Sequence, residues 1–373
     1  MPESIPSRIP PESSTSPTRI PHPPPPRIRK TRFVCISDTH NASAPSSFQL
    51  PRGDVLLHAG DLTNQGSISE LRKTLQWIED ADFEAKIIVA ASSPSILYLS
   101  HSAAEINLSS PPGPHTTFRI FGSPFPPTSS PSKSSPYSAF TYPSSSSPTP
   151  LWNTIPLDTD ILITHTPPHT HLDARSDAQP IGCEDLRKAL WRVRPRLALC
   201  GHVHEGRGAE VVRWDLDVEG KEESVRGWED PGRGNKKMSI VDLSARAGFE
   251  NDGVGVGDWD REEGESSDGV QVVVDGGADL DSDAKPRQRD KYRLRRSIAH
   301  INPHPSIPTS STSTSPPPSS SPSDPLSNRL GRKETCIVNA AIMGRSWPHS
   351  GARGRGKTFN KPIVVDIELP VWE

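Results

Sequence analysis

Apolar residues are scarce in this chain, at 32% hydrophobic and 6% aromatic over 373 residues. That is too little to pack the whole length into a core, and the long Pro/Ser tracts read as disordered. Setting those tracts aside leaves roughly 250 residues, enough for one sizeable α/β domain. Cysteine is equally sparse. The four present, Cys35, Cys183, Cys200 and Cys336, form no Cys-x-x-Cys pair. Their pattern argues against a disulfide frame or a zinc knuckle. It favours small buried hydrophobes kept reduced, in the cytoplasm or the nucleus. No stretch approaches the ~20 apolar residues of a membrane span. The Pro- and Ser-rich beginning shows no apolar signal core. A net charge of -3 exerts no global pull toward nucleic acid or an anionic membrane.

What is there falls into four parts. Residues 1–30 are a Pro/Ser-rich tail. Residues 31–247 carry most of a folded domain, residues 248–332 an acidic, Gly-rich and Ser/Pro-rich insertion, and residues 333–373 the strands that complete the domain. Phe33-Val34-Cys35-Ile36, Val55-Leu56-Leu57-His58 and Lys86-Ile87-Ile88-Val89-Ala90 have strand character. Between the last two, Ser67 and Glu70 form a capping box ahead of Ile68, Leu71, Leu75 and Ile78 at helical spacing. Strand, helix, strand with short links predicts a parallel sheet covered by helices. Further strands are expected at Phe118-Arg119-Ile120-Phe121, Ile161-Leu162-Ile163-Thr164, Leu197 to Cys200, Met238 to Asp242, Cys336 to Ala340 and Ile363 to Ile367. A helix from Glu184 to about Val193 carries Leu186 and Leu190 inward and is stopped by Pro195. Order becomes patchy after Arg213.

Chemistry concentrates at strand ends. Asp38 and His40 follow the first strand, Asp61 the second, His165 a later one, and His202 and His204 the strand ending at Cys200. Each alone has a bland explanation as a turn, cap or surface residue. Ligands of open α/β sheets bind beyond the carboxyl ends of strands, so a shared position there gathers six N/O donors. Two Asp and four His exceed the needs of one tetrahedral ion and suit two ions about 3.5–4 Å apart. Such a pair binds a phosphate ester and lowers the pKa of water, so that hydroxide attacks phosphorus in line. Gly201 is expected to let the chain turn tightly enough for both following imidazoles to face one point.

Taken in order, Asp38-Thr39-His40, Gly60-Asp61, Thr164-His165 and Gly201-His202-Val203-His204 resemble the calcineurin-like metallophosphoesterase superfamily. Leu57 to Thr63, Phe121-Gly122-Ser123-Pro124, Thr164 to Pro168 and Gly201 to Gly208 resemble its metallophosphoesterase-domain-containing branch, common in fungi. The resemblance implies an α/β fold of the α+β type, a four-layer αββα sandwich, and hydrolysis of phosphomonoesters or phosphodiesters by a metal-bridging hydroxide. It implies two divalent ions (Mn, Fe, Zn or Mg), one held by Asp38, His40, Asp61 and His204, the other by Asp61, His165 and His202. Arg207 is a candidate phosphate contact. His58 is expected either to orient the metal ligands or to be a satisfied core histidine. The implied partner is a phosphate-ester substrate, with no nucleic acid or membrane indicated.

The sequence departs from the family at one place. The Gly-Asn-His motif that follows the third strand in relatives, which supplies an Asn to the second metal and a His to the leaving group, is absent after Ala90. Asn64, His101 and His115 are the nearest stand-ins, without supporting context. The departure leaves three readings: an impaired phosphoesterase, a non-catalytic fold serving as a binding module, and an active enzyme whose motif segment is missing from this sequence.

Overall fold

The computed structural model describes residues 27–89, 95–125, 127–128, 142–143, 149–174, 180–249, 331–344 and 358–372. Most of the predicted tail, most of the insertion and the junction after Val89 lie outside the described residues.

In chain order the elements are β1 (Ile28–Ile36), β2 (Val55–His58), α1 (Ile68–Asp80), β3 (Ala85–Val89), β4 (Leu97–Leu99), β5 (Ser102–Asn107) and β6 (Thr117–Ser123). Two short strands, β7 (Pro127–Thr128) and β8 (Tyr142–Pro143), pair with each other. Then come α2 (Thr149–Asn153), β9 (Ile161–Thr164), α3 (Glu184–Val193), β10 (Leu197–Cys200), β11 (Gly208–Trp214), β12 (Glu222–Gly227), β13 (Ser239–Leu243), β14 (Glu334–Asn339) and β15 (Ile363–Pro370). One sheet has six strands in the order β13-β15-β1-β2-β3-β4; the other has seven in the order β12-β11-β14-β10-β9-β6-β5.

Period-two alternation explains why the sheets stack. In β1, Phe33 and Cys35 enter the core between the sheets, while Val34 and Ile36 face the layer outside. β2 divides Val55 and Leu57 from Leu56 in the same way, and β14 divides Cys336 and Val338 from Ile337. Both faces of these strands are therefore apolar, as strands covered on both sides must be. The outer layer of the six-stranded sheet includes Ile78, Leu71, Leu75 and Trp77 of α1. That of the seven-stranded sheet includes Leu186, Ala189, Leu190 and Val193 of α3, with Trp152 of α2. The result is the αββα sandwich.

Helix ends agree with their sequence signals. The Ser67–Glu70 capping box is formed in both directions, and α3 ends at Arg194 in the left-handed conformation, one residue before Pro195. All four cysteines are buried with free thiols. Among the described residues, no helix is long and apolar enough to cross a membrane.

Three expectations need correction. The sheets are mixed, since β1 pairs antiparallel with β15, β5 with β6, and β11 with both β12 and β14. Between the strands expected at Lys86 to Ala90 and at Phe118 to Phe121 no strand is expected from the sequence, yet β4 and the edge strand β5 form there; the alternating Ser/Ala/Glu/Ile/Asn text of β5 lacks the apolar runs that reveal central strands. Past Arg213, β12 forms although it is almost wholly exposed, because pairing with β11 rather than burial holds it. At the domain edges, β1 begins at Ile28, and Phe249 joins the core between the sheets.

The layering sets a contrast that urea unfolding checks. Leu57→Ala, at 0% exposure between the sheets, is expected to lose roughly 2–5 kcal/mol. Ile68→Ala, at 70% exposure on α1, is expected to change stability by less than about 0.5 kcal/mol.

Candidate metal centre

The parallel strands of the two sheets deliver the predicted donors to one place. β1 runs parallel to β2, and β9 parallel to β10, so the loops after all four strands leave at carboxyl ends. The loop after β1 zips onto the loop after β2: Asp38 N–H donates to the Gly60 carbonyl at 3.0 Å, and His40 N–H to the Asp61 carbonyl at 3.1 Å. Gly201 N–H, leaving β10, donates to the His165 carbonyl at 3.0 Å. His202 N–H crosses between the sheets to Asp38 Oδ2 at 2.9 Å.

The six donors form two groups, Asp38, His40 and His204, and Asp61, His165 and His202; within each group the ligand atoms lie within 4.8 Å of one another. His40 lies between them, with Nε2 at 4.0 Å from Asp38 Oδ1 and 3.7 Å from Asp61 Oδ2. His204 Nε2 approaches Asp38 Oδ1 at 3.4 Å, and His165 Nε2 approaches Asp61 Oδ2 at 3.4 Å. Tautomers are set from behind. His165 Nδ1–H donates to the Ala59 carbonyl at 3.0 Å, and His40 Nδ1–H to the Thr63 carbonyl at 3.3 Å. Both Nε2 atoms thereby face the carboxylates, the second-partner arrangement that orients metal-binding imidazoles.

Asp38 carries the sharpest signal. Its carboxylate is fully buried, Oδ2 is engaged by His202, and Oδ1 has no hydrogen-bond partner. An unsatisfied buried acceptor costs about 1–3 kcal/mol, more when charged, unless something at the site supplies positive charge. The backbone is strained in the same place. Asp38, His40, Asn41, Asp61 and His202 all have φ between 42° and 67°, each unfavourable by about 1–3 kcal/mol for a residue with a side chain. Oxygen and imidazole donors around an orphaned carboxylate oxygen fit a first-row divalent cation.

Electrostatics agree with this arrangement. Burial pushes Asp38 up, but His204 and His165 outweigh it and hold the carboxyl below its usual range. Burial likewise opposes ionisation of Asp61, and the neighbouring His165, His40 and His202 hold it well below the carboxylate range. His165 loses basicity by burial yet is raised to about 10 by Asp61 and Asp38, whereas burial lowers His202 to about 4.

Several expectations change here. The turn is made by His202, at φ 67°, and not by Gly201. Gly201 is required for another reason: a Cβ there would collide with Ser37 Oγ and Asp38 Oδ2. Arg207 has its guanidinium committed elsewhere, to Asp230 Oδ2 at 3.0 Å and through Nε and Nη2 to the Lys361 carbonyl. It therefore holds loops together and is not placed as a phosphate contact. His101 bonds Ser123 and Thr154, His115 bonds the Pro111 carbonyl, and Asn64 is exposed. Neither histidine joins either donor group.

Sequence reasoning missed Asn339. Fully buried at the end of β14, its amide donates to the carbonyls of Val203 at 2.9 Å and Leu172 at 3.1 Å, and its Oδ1 accepts from Ala341 N–H at 3.2 Å. Val203 lies between the two imidazoles, so Asn339 anchors their loop from below. The only signal was an Asn closing an apolar strand. His58 anchors the other sheet. Gly60 N–H donates to its Nδ1 at 3.2 Å, which leaves the proton on Nε2 to donate to Thr39 Oγ1 at 3.0 Å. His58 thus ties the two Asp-bearing loops together.

A double sandwich with Asp and His donors at the joined carboxyl ends of its strands defines a calcineurin-like metallophosphoesterase. No family model matches the chain. It is 35% identical over 220 residues to metallophosphoesterase domain-containing protein 1 of Homo sapiens, covering 51% of this chain and 65% of that protein. It is 31% identical over 205 residues to UPF0046 protein C25E10.12 of Caenorhabditis elegans, covering 48% of this chain and 70% of that one. A 208-residue match at 38% identity, to probable rhamnogalacturonate lyase C of Emericella nidulans, covers 50% of this chain but only 18% of that protein. The chain belongs to the UPF0046 family of metallophosphoesterase-type proteins.

Two measurements probe the anchors. Asn339→Leu keeps the volume but strands the Val203 and Leu172 carbonyls; it is expected to weaken Mn²⁺ binding, read by calorimetry, by about 10–100-fold. For His58, burial lowers the pKa to about 4, below its ordinary ~6.5. The stability of the neutral form is complete above about pH 6.5 and is lost as pH falls toward 4, because the unfolded chain then binds the extra proton. Thermal melts across this range are expected to drop more steeply for the native protein than for His58→Gln.

Proposed function

We propose that this chain is a metal-dependent phosphoesterase acting on phosphomonoesters or phosphodiesters through a two-cation centre. The observation that carries the reading is the buried Asp38 Oδ1, without a partner, facing His204 and His40 beside a second group built on Asp61. Asp38, His40 and His204 would hold one cation, Asp61, His165 and His202 the other, with Asp61 near both through His40. Bound divalent cations supply Lewis acidity toward phosphoryl oxygens and ease the ionisation of water. The protein supplies orientation: the Ala59 and Thr63 carbonyls aim two imidazoles, the His202 amide holds Asp38, and His58 and Asn339 hold the loops. Four buried free thiols support a reducing compartment, cytoplasmic or nuclear.

With no Asn-His pair in the sequence after Ala90, the second group has three donors among the described residues, and the acid that the family places on that motif has no counterpart among them. Loss of such an acid reduces rate by about 10²–10⁴-fold. One observation favours a second reading, in which an active enzyme has lost a coding segment here. β3 and β4 are adjacent and parallel, yet only seven residues, 90–96, join them. Parallel neighbours ordinarily need a crossover of a dozen residues or more, often helical. Sequencing the transcript across the codons for Val89 to Pro94 separates these readings: an inserted Gly-Asn-His stretch supports the second, and an uninterrupted junction supports an impaired site.

Hydrolysis of bis(p-nitrophenyl) phosphate tests the proposal. Turnover should require Mn²⁺ after chelation and fall at least about 100-fold in Asp61→Ala. Absence of metal-stimulated hydrolysis, with Asp61→Ala indistinguishable in metal binding, would sink it. Because His165 holds its proton up to about pH 10 and must release it to ligate, Mn²⁺ affinity should fall as pH falls, by up to about tenfold per unit. Calorimetric titrations at about pH 6 and about pH 8 read that slope.

A further inference from the structure

The donor groups account for one phosphoryl group. We propose that the loop 232–237 binds a second anionic group of the same substrate, so that the preferred substrates are polyanionic phosphate esters. This rests on the phosphoesterase reading above and adds the substrate class.

Two independent features put this loop on the rim of the centre. The first is strand register. Cys35, three residues before Asp38, is paired with Ile363, and Ile363 with Ser239. β15 is antiparallel to β1, and β13 is parallel to β15, so β13 begins at the end where β1 finishes. Ser239, where β13 begins, therefore lies two strand spacings, about 10 Å, from the end of β1, and residues 232–238 lead into it. The second feature is a tether. Arg207, three residues past His204, bonds Asp230 Oδ2 at 3.0 Å and the Lys361 carbonyl. Asp230 also accepts from Gly232 N–H at 2.8 Å and Ser239 Oγ–H at 3.0 Å. Lys361 Nζ donates to the carbonyls of Gly232, Asn235 and Lys237. The loop is thus fastened through Asp230 to the segment that carries His204, and through Lys361, whose carbonyl Arg207 also bonds.

The fastening leaves three cations outward. Arg233, Lys236 and Lys237 are exposed, and among the described residues no carboxylate pairs with their side chains. The whole chain has a net charge of -3, so this cluster does not follow from general basicity. An ordinary solvated loop needs no such anchoring; a recognition surface needs its charges held at a fixed distance from the reacting group. Arg presents a planar fork and Lys a point charge, and both suit phosphate oxygens. Attraction over about 10 Å is screened at physiological salt, so binding here is salt-sensitive.

The test compares the Mn²⁺-loaded protein with Arg233→Ala/Lys236→Ala/Lys237→Ala. Tripolyphosphate is the anionic probe, by calorimetry, and bis(p-nitrophenyl) phosphate the small ester. The triple variant is expected to bind tripolyphosphate about tenfold more weakly, with a shallower salt dependence, and to keep turnover of the small ester within about twofold. Lys236→Arg/Lys237→Arg is expected to retain native affinity. Equal tripolyphosphate affinity in native and triple-variant proteins overturns the proposal. Loss in the arginine variant as large as in the alanine variant overturns it too, as does a parallel loss of small-ester turnover, which would make the loop part of the centre itself. If the native protein does not hydrolyse the small ester but binds tripolyphosphate in a way the triple variant loses, the phosphoesterase reading fails while the anion-binding loop stands.

Discussion

The stretch from Asn339 to Ile342 stitches the two sheets together at the end where chemistry is expected, and the rest of the centre depends on it. Ala340 N–H donates to the Cys200 carbonyl in the seven-stranded sheet, and the Ala340 carbonyl accepts from Ser37 N–H at the end of β1 in the other. Ile342 N–H returns to the Ser37 carbonyl. One segment thereby fixes the spacing between the loop bearing Asp38 and the loop bearing His202 and His204. The amide of Asn339 sits beneath the second loop, and the Asp38 carboxylate closes the first loop against it. A donor set split between two sheets is only as exact as the joint between them, and here the joint is backbone hydrogen bonding in a buried setting, where alternatives are few.

That joint explains how the protein sustains strain. Five non-glycine residues at positive φ and a buried, unpartnered carboxylate oxygen together represent several kcal/mol held at one site. The apolar faces of β1, β2, β9, β10 and β14, buried on both sides, over-determine the geometry and supply the offset. Five of the ten non-glycine residues at positive φ among the described residues fall at the donor cluster, beside its unpartnered carboxylate oxygen, which suits a site prepared for a cation. The same economy appears in His58 and Asn339, which position backbone and leave the donor side chains free.

Much of this was legible in the chain. The strand ends carrying Asp38, His40, Asp61, His165, His202 and His204 could be read because a central strand buried on both faces is a continuous apolar run, and a polar residue at its end stands out. The Ser67–Glu70 box and the Leu186/Leu190 face of α3 were readable because capping and helical spacing are local. The edge strands β5 and β12 were not, since their formation rests on a neighbour's hydrogen bonds and leaves no apolar signature. Arg207 illustrates the converse error. Its position after the His-x-His loop suggested phosphate, but Asp230 and Lys361, far away in sequence, claim its guanidinium.

The sequence by itself determined the class of fold, the chemical type of the donors and their order, because burial pattern and residue chemistry are properties of short stretches. It also determined what is missing after Ala90. Only the tertiary structure decided that Asp61 groups with His165 and His202 alone, with His40 as the neighbour between the two groups, and that His202 and not Gly201 makes the turn. It alone placed Asn339 and His58 as anchors and brought a basic loop to the rim. Each of these depends on contacts between residues tens to hundreds of positions apart, which sheet register creates and no local pattern records.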